Sequence, residues 1–486
     1  MDTSVTQNND IEITPEFEKA IQLLTNPMYN CVFITGKAGT GKSTLLKYYI
    51  HNLAPKNKTV VLAPTGIAAV NVGGQTIHSF FKFPTRILLE DDKEIERLPD
   101  ESLAAQLIRT VEVIVIDEIS MVRADIIDAI DTYLRINTKS YVAFGGKKMI
   151  FFGDLFQLPP ILSAKEEQQD SLIEYFKKRY PSPYFFEAYV LKKQHVEVFE
   201  LQTVHRQKDR DFTEILNKIR VADVKLYNDP YLLKLNQRYQ PKFNINFQDE
   251  SINLLTKNDD VNHFNKMGLS QLNGKIYIYN GIIQGEFNSA NLPAPMELEL
   301  KVGAKVMFLR NKKLALHVIP KESTDEEDKD DEPYCIVTGA GWQNGTLGRV
   351  EHLDEHNIIV SIIDEEDAAK RFVVVEKEVW ENIRYEYKEV EENGKIEKKI
   401  VATVLGTYTQ YPLKLAYAIT IHKSQGMTFQ KANVDVSAAF VEGQVYVALS
   451  RVRSLSGLNL ITPVQPQRIR VNPRVVDFYQ KYVKGS

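Results

Sequence analysis

The stretch FITGKAGTGKSTLL, residues 33–46, ends an apolar β-branched run and leads into a helix-like run. From Gly36 it carries the pattern G-x-x-x-x-G-K-S, which is the spacing of a phosphate-binding loop. Backbone N–H groups from Gly39 to Ser43 are expected to surround a phosphate, because glycine permits the backbone angles that this requires. The stretch therefore predicts the strand, nucleotide-binding loop and helix of an α/β fold.

The positions of the loop have predicted roles. Lys42 would neutralise the outer phosphates of the nucleotide, and the Ser43 hydroxyl would hold Mg²⁺. The positive end of the following helix dipole would strengthen the binding of the anion. The predicted nucleotide-binding residues of the loop are Gly36, Ala38, Gly39, Thr40, Gly41, Lys42, Ser43 and Thr44.

A second chemical signal lies at VIVIDEIS, where Asp117 and Glu118 directly follow four apolar β residues. Asp117 is expected in the Mg²⁺ shell, usually through a water. Glu118 is expected to be the base that orients or deprotonates the attacking water. The pair favours a hydrolase of ATP or GTP over a small-molecule kinase.

Strand-like and helix-like runs alternate along much of the chain, which predicts α/β domains with parallel sheets. The strand-like runs of the first half are 31–35, 59–63, 112–118 and 148–154, and helix-like runs include 43–53 and 123–136. In the latter run one helical face is formed by Ile126, Ile127, Ile130, Tyr133 and Leu134. The segment 295–409 instead carries several strand-like runs and no long amphipathic helix, so it is predicted to be a β-rich insertion. Its acidic run, residues 325–333, is predicted to be a solvated, mobile loop. The predicted units are a first domain at 1–190 with a short insertion at 66–84, a second domain at 191–294 and 410–486, and the insertion at 295–409.

Composition limits the class of protein. The 486 residues are 43% hydrophobic and 26% charged, as in soluble proteins of about two to four domains. The net charge of −4 means that nucleic acid could be bound only by a local basic groove. The two cysteines, Cys31 and Cys335, argue against a disulfide scaffold or a zinc site, and neither a signal peptide nor a membrane span is expected.

Five further stretches occur in a characteristic order. Together they resemble the ordered motifs of superfamily-one helicases, most closely the Pif (petite integration frequency) family, with RecD-like enzymes as close relatives. Residues 117–137 resemble the signature segment of that family, whereas the β-rich insertion is matched more weakly. The stretches are APTGIAAVNVGGQTIHSFF (63–81), FFGDLFQLPP (151–160), LQTVHRQ (201–207), YAITIHKSQGMTF (417–429) and GQVYVALSRVRS (443–454).

The resemblance implies a DNA helicase that uses ATP and Mg²⁺ and translocates 5′→3′ on single-stranded DNA. It implies two RecA-like motor domains, a wedge at residues 66–84 and an SH3-like insertion. Implied substrates are forked or tailed duplex DNA, guanine quadruplexes and RNA–DNA hybrids, with roles in replication, repair, recombination and genome or telomere maintenance. A monomer is expected, cytoplasmic in a bacterium, or nuclear or mitochondrial if the chain is a trimmed eukaryotic core.

The resemblance also assigns residues. Gln157 matches the family's γ-phosphate sensor, and Arg206 and Arg451 match arginines that stabilise charge on that phosphate, with Arg453 a weaker candidate. Gln425 and Gly426 are expected beside the nucleotide. The DNA-binding residues implied are Thr65, Gly66, His78, Ser79, Pro160, Thr256, Lys257, Asn258, Thr420, His422, Lys423 and Ser424.

Some interpretations stay open. Phe17 stands near the place where many relatives have an adenine-reading glutamine, so the preference for adenine rests on the family alone. Phe80, Phe81 and Phe83 could stack on bases or pack in the core. The arginine-containing tail, residues 465–482, is predicted to cap the second domain. Alternative functions are a nucleotide-gated single-strand binding switch and a RecD-like subunit of a recombination nuclease.

Overall fold

The computed structural model describes most of the chain. The described residues are 13–160, 170–205, 207, 209–224, 226–241, 247, 249–289, 292–320, 334–363, 370–392 and 395–482. Three regions are present: two α/β domains with parallel sheets and a β-rich region, as predicted. Arg206 and the acidic run 325–333 lie outside the described residues.

The first domain contains a six-stranded sheet in which all neighbouring strands are parallel. Its central strands are fully buried runs of apolar residues, because helices cover both faces of such a sheet. In spatial order the strands are Gln75–Thr76, Thr59–Ala63, Val113–Ile116, Lys148–Phe152, Cys31–Gly36 and Glu197–Leu201. The carboxyl ends of these strands therefore meet at one edge of the sheet.

The strand Glu197–Leu201 corrects a predicted boundary. It pairs in parallel with Cys31–Gly36, so the first domain continues past residue 190, where its end was predicted. The strand lies at the edge of the sheet and is only partly buried. A short edge strand carries no local signal of which sheet it joins, and for this reason the boundary was placed too early.

Helices surround the first sheet. In the long helix Ala124–Thr138 the apolar residues of the predicted face are buried. Thr14 caps the first helix by accepting a hydrogen bond from the Phe17 N–H. The helices are Pro15–Thr25, Lys42–Tyr48, Gly66–Val72, Ile77–Phe81, Leu103–Thr110, Ala124–Thr138, Asp170–Arg179 and Tyr189–Lys192, and Tyr49–Leu53 is a π-helical turn.

The second domain is smaller. Its four-stranded parallel sheet has the spatial order Ala418–Thr420, Ile252–Leu255, Ala432–Val434 and Leu458–Leu460. Its helices are Arg210–Arg220, Pro230–Asn236, Asn258–Ser270 and Gln444–Leu449. None of the helices in the described part of the chain is long and apolar enough to cross a membrane.

The tail 465–482 was predicted to cap the second domain, and Ile469 is indeed buried in the core of that domain, but the C-terminal helix Pro473–Tyr482 corrects the rest of the prediction. It packs on the first domain rather than capping the second, because Val475 is buried in the core of the first domain. The Phe478 ring stacks on Phe186 with centroids 4.6 Å apart, and Arg474 Nε lies 2.7 Å from Glu187 Oε1. The sequence shows the apolar stripe of this helix but not the surface that buries it.

The β-rich region is larger than predicted. The strand Tyr277–Asn280 pairs with Glu297–Leu300, and Leu413–Leu415 pairs with Lys305–Phe308, so the region extends beyond residues 295–409 at both ends. All its sheets are antiparallel. The remaining strands are Ile282–Gly285, Lys312–Pro320, Tyr334–Trp342, Leu347–Leu353, Ile358–Ile363, Lys370–Val375, Glu378–Glu392 and Lys395–Gln410.

The last two of these strands form a long hairpin that reaches the first domain. Tyr385 Oη accepts a hydrogen bond from the Val61 N–H at 3.3 Å, and the Tyr385 N–H donates to Gln75 Oε1 at 3.2 Å. The Tyr385 ring also contacts Phe80, with centroids 6.1 Å apart. The hairpin therefore lies against the insertion at residues 66–84.

That insertion is built into the first domain. Its short strand Gln75–Thr76 is the outermost strand of the first sheet. Phe80, Phe81 and Phe83 are buried, and Phe81 stacks on Phe83 with centroids 5.2 Å apart. In this conformation the three phenylalanines are core residues rather than free surfaces for stacking on bases.

Candidate active site

The phosphate loop connects the strand Cys31–Gly36 to the helix Lys42–Tyr48. Gly39 and Gly41 have φ values of 82° and 86°, which side chains rarely adopt. A Cβ on Gly36 would lie 2.6 Å from Thr40 Oγ1 and 2.8 Å from the Leu201 carbonyl oxygen. Glycine is therefore required both by backbone angles and by close packing.

Lys42 folds back over its own loop. Its Nζ donates hydrogen bonds to the carbonyl oxygens of Gly36 and Lys37 at 2.7 and 2.9 Å. These carbonyls keep the ammonium at the mouth of the loop, next to the exposed Ser43 and Thr44. Lys42 thus presents its ammonium at the loop where a phosphate is expected to bind.

The acidic pair lies at the same edge of the sheet. The Asp117 N–H donates to the Leu62 carbonyl at 3.0 Å, and Asp117 Oδ1 accepts the Glu118 N–H at 2.9 Å. Burial raises the pKa of both carboxyl groups, the neighbouring Asp117 charge raises that of Glu118 further, and the Lys42 ammonium opposes both effects. Glu118 also has a φ of 49°, a strained left-handed conformation for this residue type.

These residues fit a hydrated Mg²⁺ ion. Mg²⁺ at phosphate sites keeps several waters and takes one or two side-chain oxygens together with phosphate oxygens. Ser43 and Asp117 supply a hydroxyl and a carboxylate of this kind. Within the described ranges no group of three or more His, Cys, Asp or Glu residues forms a preformed metal cage.

Two contacts join the cleft across the two domains, and a third holds the segment that follows the first-domain strand Glu197–Leu201 against the phosphate loop. Gln425 Nε2 donates to Glu118 Oε2 at 2.9 Å, which places Gln425 at the acidic pair. The Ala38 N–H donates to Tyr446 Oη at 2.9 Å. The His205 N–H donates to the Gly39 carbonyl at 2.9 Å. Gly426, the neighbour of Gln425, has a φ of 78° and leaves open space around its Cα.

Of the two arginines predicted to act on the γ-phosphate, only Arg451 is among the described residues. Arg451 is 1% exposed, and its Nε and Nη2 donate to the Val447 carbonyl and to Ser450 Oγ. Its charge lowers the pKa of Glu118 against the dominant effect of burial, so it lies near the acidic pair. Arg206 is not among the described residues, but Gln207 beside it donates from Nε2 to the Ser450 and Val452 carbonyls, both at 3.2 Å.

Gln157 is buried at the domain interface. Its Nε2 donates to Asp154 Oδ2 at 3.3 Å. A Cβ on Gly443 of the second domain would lie 2.3 Å from the Gln157 carbonyl oxygen and 2.5 Å from that of Phe156. The loop that carries Gln157 thus packs directly on the second domain. The sequence motifs predicted no role for Asp154, Gly443 or Tyr446, although all three lie within the stretches 151–160 and 443–454.

The predicted DNA-binding residues divide by exposure. Thr65, Gly66, Ser79, Lys257, Asn258 and Lys423 are exposed, and His78, Thr256 and His422 are partly exposed. Pro160, Thr420 and Ser424 are buried. The Ser424 hydroxyl donates to the Ile421 carbonyl at 2.7 Å, and Thr420 Oγ1 accepts the Lys423 N–H at 3.3 Å. The last two residues therefore shape the loop beneath the exposed ones and offer no surface of their own here.

Three basic side chains, Lys414, His422 and Lys423, lie where the last strand of the β-rich region leads into the second domain. Burial and the neighbouring Lys423 charge lower the pKa of Lys414 to about 7. His422 Nε2 is buried and has no hydrogen-bond partner among the residues that the structure describes. Of these groups the exposed Lys423 is available to bind phosphate oxygens in this arrangement.

The PIF1-like helicase family model matches residues 12–229. The structure of a Bacteroides Pif1 in complex with ADP-AlF4 is 34% identical, with a TM-score of 0.80 and 98% of each chain covered. The chain belongs to the PIF1-like helicase family. A curated zebrafish (Danio rerio) relative named "ATP-dependent DNA helicase PIF1" is 31% identical over 93% of this chain. The chain spans about three fifths, 62%, of the length of that PIF1 protein.

Structures of the Bacteroides Pif1 also differ in how closely this PIF1-like chain matches them. The form bound to single-stranded DNA is again 34% identical over 98% of both chains, but its TM-score is 0.62. The present arrangement of domains is therefore closer to the ADP-AlF4 form than to this DNA-bound form.

Proposed function

We propose that this protein is an ATP-dependent DNA helicase that translocates 5′→3′ on a single strand and unwinds forked duplex DNA. The observation that carries the proposal is the composite cleft, in which Glu118 of the first domain is hydrogen-bonded to Gln425 of the second at 2.9 Å. A site built from two domains can change shape as nucleotide is bound and hydrolysed, which is what a motor requires.

The ATPase roles follow from the geometry of the cleft. Lys42 would exchange its two loop carbonyls for phosphate oxygens, and Mg²⁺ held by Ser43 and Asp117 would neutralise charge on those oxygens. Glu118, whose pKa is raised by burial, would accept a proton from the attacking water. Arg451 and Arg206 would stabilise the charge of the transition state, and Gln157 would sense the γ-phosphate.

The DNA strand would run along the exposed ends of strands and helices in both domains. Thr65 and Lys257 stand at the N-caps of the helices Gly66–Val72 and Asn258–Ser270, where backbone N–H groups favour phosphates. Lys423 of the second domain would add positive charge, Lys414 at the end of the β-rich region would add it when protonated, and His422, whose pKa is lowered by burial, would offer a neutral ring nitrogen. These contacts are independent of sequence, as a translocating protein requires.

Finer aspects of the proposal rest on the family. They comprise a wedge at residues 66–84, the RecA-like and SH3-like nature of the units, activity as a monomer, and unwinding of guanine quadruplexes and RNA–DNA hybrids. A cytoplasmic role in bacterial DNA repair and recombination is proposed with them. The hairpin against residues 66–84 belongs to an arrangement that matches the ADP-AlF4 complex of the Bacteroides relative better than its form bound to single-stranded DNA, so we propose that the hairpin moves when DNA binds.

Strand displacement on duplexes with only a 5′ tail or only a 3′ tail tests the function. Unwinding of the 5′-tailed duplex alone, with ATP turnover stimulated by single-stranded DNA, is expected. Stimulated turnover without any displacement would instead favour a nucleotide-gated binding switch. Activity that appears only with a co-purifying partner would favour a RecD-like subunit.

A further inference from the structure

A cluster of buried charges around Arg220 joins the two α/β domains. Arg220 is the last residue of the second-domain helix Arg210–Arg220, and its side chain is 2% exposed. Its Nη2 lies 3.0 Å from Asp154 Oδ1, and its Nη1 lies 3.1 Å from Glu200 Oε1. Both carboxylates belong to the first domain, where they follow or end strands of the six-stranded sheet. One guanidinium therefore binds two first-domain carboxylates.

Aromatic rings enclose the same guanidinium. Its carbon lies 4.3 Å from the centroid of the Phe156 ring and 5.3 Å from that of Tyr479, distances at which cations are attracted to ring faces. Tyr479 belongs to the C-terminal helix, and its hydroxyl donates to Glu200 Oε2. The cluster thus connects the second-domain helix, two strand ends of the first domain and the C-terminal helix.

The cluster continues into the loop of the proposed γ-phosphate sensor. Asp154 Oδ1, which binds Arg220, also accepts the Phe156 N–H at 3.2 Å, and Asp154 Oδ2 accepts Gln157 Nε2 at 3.3 Å. The Gln157 N–H donates to the Asp154 carbonyl at 3.0 Å. A single carboxylate therefore holds both Arg220 and the side chain of Gln157.

Arg220 also lies close to the phosphate loop. Burial lowers the pKa of Lys37 in that loop, and the positive charge of Arg220 lowers it further, against the opposing charges of Glu200 and Asp154. The Tyr446 hydroxyl accepts the Ala38 N–H of the loop. Burial and the Asp154 charge raise the pKa of this hydroxyl, whereas the Arg220 charge lowers it. A shift between the domains would move the guanidinium, and this would change the charge near the phosphate loop and the contacts that hold Gln157.

A buried ion pair often adds little to stability, because the cost of removing its charges from water cancels their attraction. Its directional hydrogen bonds do fix the geometry of the groups that it holds. We infer that Arg220 is a positioning residue for ATP hydrolysis, which fixes Asp154 and through it Gln157 according to the position of the second domain. The inference rests on the proposed role of Gln157 in ATP turnover.

The test compares Arg220→Lys, Gln157→Ala and the double variant. Arg220→Lys keeps the charge but cannot bind both carboxylates with one planar group. DNA-stimulated turnover should fall about tenfold in kcat, with KM for ATP within about twofold, because a group that acts through Gln157 affects the transition state more than binding. If Arg220 acts through Gln157, the double variant should be no more than about twofold slower than Gln157→Ala.

A matched control is Arg123→Lys. Arg123 forms a buried ion pair of the same kind, with its Nε 2.9 Å from Asp125 Oδ1, but it holds the segment near Leu88 instead of the cleft. It should change thermal stability as Arg220→Lys does while leaving kcat unchanged. Should Arg220→Lys not fold, Asp154→Asn, which removes the charge and keeps the shape, replaces it in the cycle with the same expectation.

The outcomes separate the two levels of the proposal. Two outcomes would overturn the positioning role while the parent still turns over ATP. One is that the losses in kcat of Arg220→Lys and Gln157→Ala multiply in the double variant. The other is that folded Arg220→Lys keeps a kcat within about twofold of the parent. An equal loss of kcat in Arg123→Lys would show that destabilisation alone is responsible and would also overturn it. A parent without any DNA-stimulated turnover would remove the proposed function, and this inference with it.

Discussion

The proposed catalytic edge of the first sheet, where the phosphate loop and the pair Asp117 and Glu118 lie, and the β-rich region at residues 277–415 are organised on different length scales. At the edge, each chemical group follows its strand within a few residues, as Asp117 and Glu118 follow Val113–Ile116. In the β-rich region, strands that pair can be far apart, as Lys305–Phe308 and Leu413–Leu415 are. Local motifs therefore specify the chemistry of this protein, whereas non-local pairing specifies the parts that surround it.

The largest effect is expected at the catalytic edge, for Arg451→Ala. Arginines that stabilise the transition state of phosphoryl transfer are worth about 10³ to 10⁵ in rate. The variant should keep its affinity for a fluorescent nucleotide and for single-stranded DNA but lose DNA-stimulated turnover by at least about 10³-fold. Arg453→Ala, two residues further on and less buried, tests the weaker candidate of the same stretch and should lose less turnover. If Arg451→Ala turned over ATP within about threefold of the parent, the change in activation free energy would be under about 1 kcal/mol, and Arg451 would lose its catalytic assignment.

The sequence predicts local elements of this protein but not the contacts between segments that are far apart in the chain. The phosphate loop, the strands that begin at Cys31, Thr59 and Lys148 and the apolar face of Ala124–Thr138 were predicted correctly, since a short window of sequence encodes each of them. The destination of the C-terminal helix was predicted wrongly, because its apolar stripe fits more than one partner surface. The expected boundary at 190 failed for the same reason.

The candidate site shows the same division. The motifs predicted the side chains that stand at strand ends, yet not the contact between Gln425 and Glu118 or the approach of Gly443 to Gln157. These contacts join residues that are hundreds of positions apart and depend on how the two domains face each other. The motifs also did not show which of the predicted DNA-binding residues are exposed, since Ser424 is buried.

A smaller effect is expected where the catalytic edge meets the second domain, for Gly443→Ala. The left-handed φ of 71° alone should cost about 1–2 kcal/mol of unfolding free energy. The added Cβ would also press on the Gln157 carbonyl from 2.3 Å and displace the sensor loop. We expect DNA-stimulated turnover to fall about tenfold, as when a catalytic group is misplaced.

The control for that variant is Gly146→Ala. Gly146 has a similar φ of 78°, and nothing lies within 4 Å of its would-be Cβ, so it reproduces the backbone strain without the collision. Equal losses of turnover in the two variants would mean that strain alone explains the effect. The Gly443 contact would then have no specific part in positioning Gln157.

The hairpin of the β-rich region should have a more modest effect, and in the opposite direction. Tyr385→Ala removes its hydrogen bond with Val61 and its ring contact with Phe80. If this contact holds the DNA-free arrangement, losing about 1 kcal/mol of it should raise the affinity for single-stranded DNA about fivefold. Turnover without DNA should stay the same, because the hairpin supplies no group to the cleft.

Fluorescence anisotropy of a labelled oligo-dT measures this change. Val404→Ala, on an exposed position of the same hairpin, should leave affinity unchanged. An affinity for DNA that stays the same or falls in Tyr385→Ala would show that the hairpin does not oppose binding. The β-rich region would then influence unwinding by some other route than this contact.

The last effect is one of pH, and it concerns Lys414, which lies where the two regions meet, on the last strand of the β-rich region beside Lys423 of the second domain. Burial and the Lys423 charge lower the pKa of Lys414 to about 7, and a DNA phosphate between them would raise that pKa again. Binding would then take up a proton, so affinity should fall as the pH rises from 6 to 8, by at most about tenfold per pH unit for one proton. Lys414→Met should flatten the profile and lower the slope of affinity against salt by about 0.7, the value for one phosphate of a single strand. The exposed Lys431→Met should keep the pH dependence of the parent. A parent whose affinity is flat across this pH range would place Lys414 away from the strand and leave the DNA path to the exposed residues of the two α/β domains.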